Sequence, residues 1–275
     1  SNGKTTTTSL THFILKNAGL NVGLAGNIGK SFAYQVATEK FDHYVLELSS
    51  FMLDDMFKFR VNIAVLLNIT PDHLDRYDYK FENYAASKFR VTQNQTASDY
   101  FIYCEDDPET MKMMEGRKME AQTLPFSIKK KLTTGAYLDR DNIIINTTKE
   151  HFQMSINDLA LQGKHNIYNS MASGIVAKVL ELRKEVIRES MGGFRNIEHR
   201  LEFVAKISGI SFINDSKATN VDSVFYALGS FDQPILLIAG GVDKGNDYSQ
   251  IEELVRQKVK ALIILTPKFE KLKEY

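Results

Sequence analysis

Ser1-Asn2-Gly3-Lys4-Thr5-Thr6 has the residue types of the end of a Gly-x-x-Gly-Lys-Thr turn. Gly3 would let backbone N–H groups close around phosphate, Lys4 would bring a mobile positive charge to the outer phosphates, and Thr5 a hydroxyl for Mg²⁺. Asn2 and Thr6 complete the turn. Glu47 ends an apolar run, Tyr44–Leu48, where a carboxylate can bind Mg²⁺ directly or through water, or simply face solvent. Thr70-Pro71-Asp72-His73-Leu74-Asp75 crowds two acids and an imidazole into one turn. Asp72 or His73 could reach a second metal or orient a phosphate; a capped polar turn is the plainer alternative.

Lys88 interrupts the apolar stripe Phe81, Tyr84, Ala85 and Phe89. Burial lowers an ammonium's pKa, and a neutral amine can take up CO₂ as a carbamate, which turns lysine into a metal-binding carboxylate. Spacing alone favours the ordinary outcome, a lysine whose stem covers apolar surface. Asn166 and Asn169 share a helical face, so their amides can meet one ligand or cap the helix. Asn214–Asn220 is seven residues, six of them polar. That density of donors and acceptors suits an anionic or zwitterionic ligand, and Arg200 upstream offers a planar fork for phosphate or carboxylate. Asp215, Lys217 and Thr219 are its candidate ligand contacts. Gly240–Gly245 is a second glycine-rich strand end, carrying Lys244; each of these stretches could equally be a surface loop.

These residues need a scaffold that gathers them. The apolar runs Tyr44–Leu48 and Ile63–Leu67, set between helical patterns, predict a mostly parallel sheet with functional residues at strand ends. Thr5–Lys16 reads as the helix after the phosphate loop, Asn21–Leu24 as a short strand, 78–91 as an amphipathic helix, and His165–Lys184 as one long helix. Residues 100–162 read as more irregular than the rest, with a hairpin around Asp139–Asn142. The pattern resets at Gly192-Gly193, taken as the linker. Beyond it, Phe203–Ile207 and Ile210–Ile213 form a hairpin, followed by helix Val221–Leu228, strand Ile235–Ala239, a helix over 248–259, strand Ala261–Leu265 and a final helical stub. The expectation is an α/β protein with a phosphate-loop unit over 1–196 and a smaller second α/β unit over 197–275 that stops before its sheet is complete.

The 275 residues carry 34 Lys+Arg against 34 Asp+Glu. Zero net charge argues against nucleic acid or an anionic membrane as the main partner. One cysteine, Cys104, fits a reducing cytosol, and no apolar run reaches membrane-span length. A phosphate loop is fed by a buried strand, and none precedes Ser1. The expectation is therefore a piece of a longer protein, cut just inside its nucleotide site and inactive by itself.

Taken together the motifs resemble the Mur ligase family, ATP-dependent amide-forming enzymes of peptidoglycan precursor synthesis. The matching stretches are Ser1–Thr6, Gly26–Gly29, Leu46–Phe51, Leu67–Tyr77, Ser87–Arg90, Gly163–Asn169, His199-Arg200, Ile213–Asn220 and Ala239–Lys244, in family order along nearly the whole chain. Asn214–Asn220 discriminates most, and resembles the branch that adds D-glutamate to UDP-N-acetylmuramoyl-L-alanine. Met52 stands where the family often has glutamine, and Glu198 where proline is common. The resemblance implies that 1–196 is a central P-loop-type ATPase domain and 197–275 a smaller, truncated Rossmann-like domain, with an N-terminal UDP-binding domain absent from this chain.

It also supplies roles. Asn2, Gly3, Lys4, Thr5 and Thr6, with Asn27, Asn166, Asn169, Arg200 and Asp215, would contact ATP. Thr5, Glu47, His73 and Lys88 would hold Mg²⁺ at two sites, with Lys88 carbamylated. Lys4, Lys88 and His73 would be catalytic, and Asp72, Lys217, Thr219 and Lys244 would bind substrate. The resemblance implies a cytoplasmic monomer whose partners are small molecules alone. A catalytically silent ATP-binding module of the same fold is the alternative, disfavoured because the chemical residues are all present. A P-loop kinase leaves Asn214–Asn220 unexplained.

Overall fold

The computed structural model describes residues 2–147, 151–194, 201–241 and 247–265. The chain divides into two compact units, Ser1–Arg195 and Asn196–Tyr275.

In the first unit Gly3 runs straight into α1 (Lys4–Asn17), which buries four successive threonines, Thr5–Thr8, with Leu10, Thr11, Ile14 and Leu15. β1 (Val22–Gly26) and β2 (His43–Glu47) pair in parallel, with Gly26 opposite Glu47. Between them lies α2 (Phe32–Thr38), and after them α3 (Ser50–Asp54), each started by a serine whose hydroxyl accepts from a first-turn N–H. A six-stranded sheet follows in the order β3 (Ile63–Leu66), β4 (Tyr100–Cys104), β5 (Gln122–Ser127), β6 (Gly135–Asp139), β7 (Asn142–Asn146) and β8 (His151–Ser155). Its first four strands are parallel and its last two antiparallel. α4 (Phe81–Phe89) and α5 (Pro108–Met114) lie on the β3–β4 core, where Tyr84, Ala85, Phe89, Ala64, Leu66, Phe101 and Tyr103 are buried together. α6 (Lys164–Val179) packs on α1 and on the six-stranded sheet, and α7 (Lys184–Gly193) closes the unit.

Three expectations need correction. The stretch 100–162 is not irregular: it supplies five of the six strands of the larger sheet and α5. The expected hairpin at Asp139–Asn142 is the β6–β7 turn, with Arg140 at φ 54°. The long helix does not continue to Lys184. Glu181 takes φ 57° and the Leu182 N–H bonds back to the Ala177 carbonyl, a left-handed stop that ends α6 before α7 begins. Gly192-Gly193 is not a linker but the last turn of α7. Paired glycines ended a helix there, which is why the periodicity reset.

The second unit pairs β9 (Glu202–Ile207) with β10 (Ile210–Asn214) in an antiparallel hairpin. Its two-residue turn, Ser208-Gly209, has positive φ at both positions. α8 (Val221–Gly229), β11 (Ile235–Gly240), α9 (Ser249–Lys258) and β12 (Val259–Leu265) follow, with β11 and β12 parallel. Val221, Leu228 and Ile251 form its small core, while Phe203, Ile207, Ile210, Leu236, Ile238 and Leu265 stay exposed. The expected final helical stub lies outside the described residues. Among those described, no helix is long and apolar enough to cross a membrane.

Candidate functional site

Gly3 precedes α1 with φ 83°, a conformation glycine takes without steric cost. A Cβ there would also lie 2.3 Å from Asn169 Oδ1, so α6 approaches the loop as closely as glycine allows. The Thr7 hydroxyl donates to the same Oδ1 at 3.2 Å. Asn169 Nδ2 donates to Asn166 Oδ1 at 3.1 Å, and Asn166 Nδ2 to the Gln162 carbonyl at 2.8 Å. Asn169 thus meets the start of α1 directly, and Asn166 is tied to Asn169. Asn68, just past β3, clamps the loop from the other side. Its Oδ1 accepts from the Asn2 N–H at 2.7 Å and its Nδ2 donates to the Asn2 carbonyl at 3.0 Å.

Glu47 ends β2 and is buried. Its Oε1 accepts from Asn27 Nδ2 at 2.9 Å; its Oε2 is buried with no hydrogen-bond partner. Thr70 Oγ1, in the loop after β3, is likewise buried without one. Such acceptors are costly unless a ligand or cation meets them.

Lys88 is only 5% exposed, on the buried face of α4, with its Nζ 5.1 Å from the Tyr84 ring centroid. Burial brings its pKa down from 10.5 to about 7, and the Lys4 ammonium pushes the same way. Asp72, Glu47 and Asp54 oppose that shift without cancelling it. Lys4 on α1, Glu47 on β2 and Asp72 in the loop after β3 are therefore close enough for Lys88 to feel their charge.

His73 sits at φ 51°, an uncommon setting for a non-glycine residue, with its Nε2 3.6 Å from Asp72 Oδ1. The ring packs edge-on against Phe51, centroids 5.0 Å apart, and Arg76 covers Phe51 at 4.5 Å. The Tyr77 hydroxyl donates to Asp54 Oδ2 at 2.7 Å and the Ser87 hydroxyl to the Ser50 carbonyl at 3.1 Å. These bonds join α3, α4 and the His73 turn.

Among the described residues no group of three or more His, Cys, Asp and Glu side chains could hold a metal. Magnesium in phosphate-transfer sites usually takes one or two carboxylates, with substrate oxygens and water completing its octahedron, so Glu47 with its unpartnered Oε2 fits that smaller demand.

In the second unit Asp215 Oδ1 accepts from the Leu201 N–H at 3.1 Å and the Asp215 carbonyl from the Ala218 N–H at 2.8 Å, a turn that carries Lys217 and leads to Thr219. Asn220 caps α8 through the Ser223 N–H at 2.9 Å. Arg200 and Lys244 lie outside the described residues.

The sequence reading missed Asn68, Thr7 and Asp107. Asp107 Oδ2 caps α5 through Thr110 and also accepts from the Ile69 N–H at 3.2 Å, holding the strand end that leads to Asp72 and His73. The cap was readable in Asp107-Pro108; the reach to Ile69 was not.

A glycine-opened helix N-terminus beside a strand-end acid is the geometry of a phosphate-binding α/β domain. The Mur ligase middle-domain profile matches residues 1–177, and the profile described as Mur ligase, glutamate ligase domain matches residues 199–275. The chain belongs to the Mur ligase family. It is 56% identical over 275 residues to the UDP-N-acetylmuramoylalanine--D-glutamate ligase of Bacteroides fragilis, covering 100% of this chain and 62% of that protein. The ligase of the same name from Christiangramia forsetii is 54% identical over 272 residues, covering 99% of this chain and 61% of that protein. The chain thus spans about three fifths of the length of these curated relatives. Among solved structures, MurF ligase from Thermotoga maritima in complex with ADP superposes with TM-score 0.70 at 17% identity, over 100% of this chain and 70% of that one. MurC from the same organism gives 0.63 at 17% identity, over 100% of this chain and 67% of that one. At such identities these likenesses speak for the fold.

Proposed function

We propose that this protein is an ATP-dependent ligase that joins D-glutamate to UDP-N-acetylmuramoyl-L-alanine through an acyl phosphate, releasing ADP and phosphate. The observation that carries the reading is the match of both Mur ligase domain profiles along the chain, and the buried, unpartnered Glu47 Oε2 at the end of β2 agrees with it. The names of the relatives supply the substrates.

In this reading the N–H groups opening α1, with Asn2, Gly3, Thr5 and Thr6, cradle the ATP phosphates, and Lys4 meets the charge that develops as the substrate carboxylate attacks the γ-phosphorus. Asn166 and Asn169 steady the nucleotide. Glu47, Thr5, His73 and Lys88 would hold Mg²⁺, which when bound neutralises phosphate charge. Lys88 suits that place as a carbamate. An amine with a pKa near 7 is substantially neutral at physiological pH; it adds CO₂, releases one proton, and becomes an anion. The D-glutamate amine then attacks the acyl phosphate carbonyl, and phosphate leaves. Asp72 is proposed as a substrate contact. From the second unit, Arg200 and Asp215 are proposed for ATP, and Lys217, Thr219 and Lys244 for D-glutamate or phosphate.

The test is amide formation from UDP-N-acetylmuramoyl-L-alanine and ATP with D-glutamate, L-lysine or L-alanine as the amine. Product with D-glutamate alone supports the reading. ADP output indifferent to the amine overturns it.

A further inference from the structure

Asn27 holds Glu47 by two hydrogen bonds of different kinds. Its backbone N–H donates to the Glu47 carbonyl at 2.8 Å, and its Nδ2 donates to Glu47 Oε1 at 2.9 Å. Gly26 makes the approach possible: it takes φ 102°, and a Cβ there would lie 2.3 Å from the Glu47 carbonyl oxygen. The parallel register sets Gly26 opposite Glu47, so the loop leaving β1 begins directly on the acid. The carboxylate is thereby split. One oxygen is tied to the protein; the other, Oε2, is buried with no donor, on a residue 3% exposed. An isolated buried acceptor of that kind is stable only when something positive reaches it.

We propose that Asn27 is a positioning residue for Glu47, fixing the carboxylate so that Oε2 receives a divalent, oxygen-seeking cation, and is not itself a nucleotide contact. The inference rests on the reading of Glu47 as a metal ligand and changes the role expected for Asn27. A partner that orients a ligating carboxylate typically affects metal affinity by 10–100-fold. A residue touching ATP would instead affect the nucleotide with or without metal.

The experiment is an electron-paramagnetic-resonance titration of free Mn²⁺, which favours the same octahedral oxygen sites, into the protein with ATP present. ATP binding without metal is measured by calorimetry alongside. The proteins compared are wild type, Asn27→Ala, Asn27→Leu and Glu47→Gln, each checked for a cooperative thermal transition; Asn27→Leu keeps the volume without the donor should alanine unfold the loop. The expected result is Mn²⁺ affinity weakened by roughly 10–100-fold in the Asn27 variants, with metal-free ATP affinity unchanged. Equal weakening of metal-free ATP binding would make Asn27 a nucleotide contact and overturn the proposal. Weakened Mn²⁺ binding in Glu47→Gln with none in the Asn27 variants overturns this inference alone. Unchanged Mn²⁺ binding in Glu47→Gln overturns the metal role of Glu47, and this inference with it.

Discussion

Lys88 is where burial and chemistry pull against each other. Its pKa, about 7 in the fold against 10.5 for an ordinary lysine, makes it a liability for stability that varies with pH. Above pH 10.5 the amine is neutral folded or unfolded, and nothing is lost. As pH falls from 10.5 toward 7 the unfolded chain takes up a proton that the folded chain refuses, and stability declines. Below about 7 both forms are protonated and the loss is complete. Lys88→Met, of similar length and without charge, is therefore expected to stabilise the protein at neutral pH by a few kcal/mol, on the order set by the shift. The gain should vanish near pH 10.5, as read by urea unfolding across pH in CO₂-free buffer. For activity the expectation reverses: Lys88→Ala should lose turnover and regain part of it when a small carboxylate is added. An unchanged rate in Lys88→Ala would remove the lysine from the chemistry.

At the scale of elements, the site depends on strand ends and helix starts being tied across the sheet. Asp107→Ala removes the α5 cap and releases the Ile69 N–H. It should cost about 2 kcal/mol in chemical denaturation and lower turnover, because the segment leading to Asp72 and His73 is loosened. Gly26→Ala drives a Cβ onto the Glu47 carbonyl and should cost about 2–3 kcal/mol in the same assay. A variant as stable as wild type would show that β1 and β2 are not this close. Sequence pattern found α1, β2, β3, α4 and the β9–β10 hairpin because each has a clean apolar period or a glycine turn. It missed β5, whose Gln122-Thr123-Leu124-Pro125 lacks alternation, and α7, whose start follows a left-handed stop at Glu181 that no glycine announces. Glu47, Asp72 and Lys88 stood out as candidates by residue type and position, but each had an ordinary structural reading beside the chemical one, and for Lys88 on its helix spacing alone favoured the ordinary one. Asn68 and Asp107 did not stand out, because their partners are 66 and 38 residues away in sequence.

At the scale of the molecule, the two units differ sharply in what they bury. Among the described residues, the first buries apolar side chains on every strand of its larger sheet, whereas the second gathers three buried apolar residues with partly buried neighbours and leaves both of its two-stranded sheets with exposed apolar side chains. Since apolar burial supplies most folding stability, unfolding should proceed in two steps, the second unit first. Hydrogen exchange should show β11 and β12 amides exchanging before those of β4 and β5; simultaneous exchange would mean one cooperative block. Gly3, Lys4, Glu47 and Lys88 all belong to the more heavily buried unit, which suits the roles proposed for them.

The claim beneath all of this is that a substrate carboxylate is phosphorylated at the Lys4 loop. It is tested most directly with UDP-N-acetylmuramoyl-L-alanine carrying ¹⁸O in its alanine carboxylate, by mass analysis of the phosphate released in the presence of ATP and D-glutamate. The account predicts one labelled oxygen in each phosphate released per amide formed. Unlabelled phosphate accompanying amide product would contradict it.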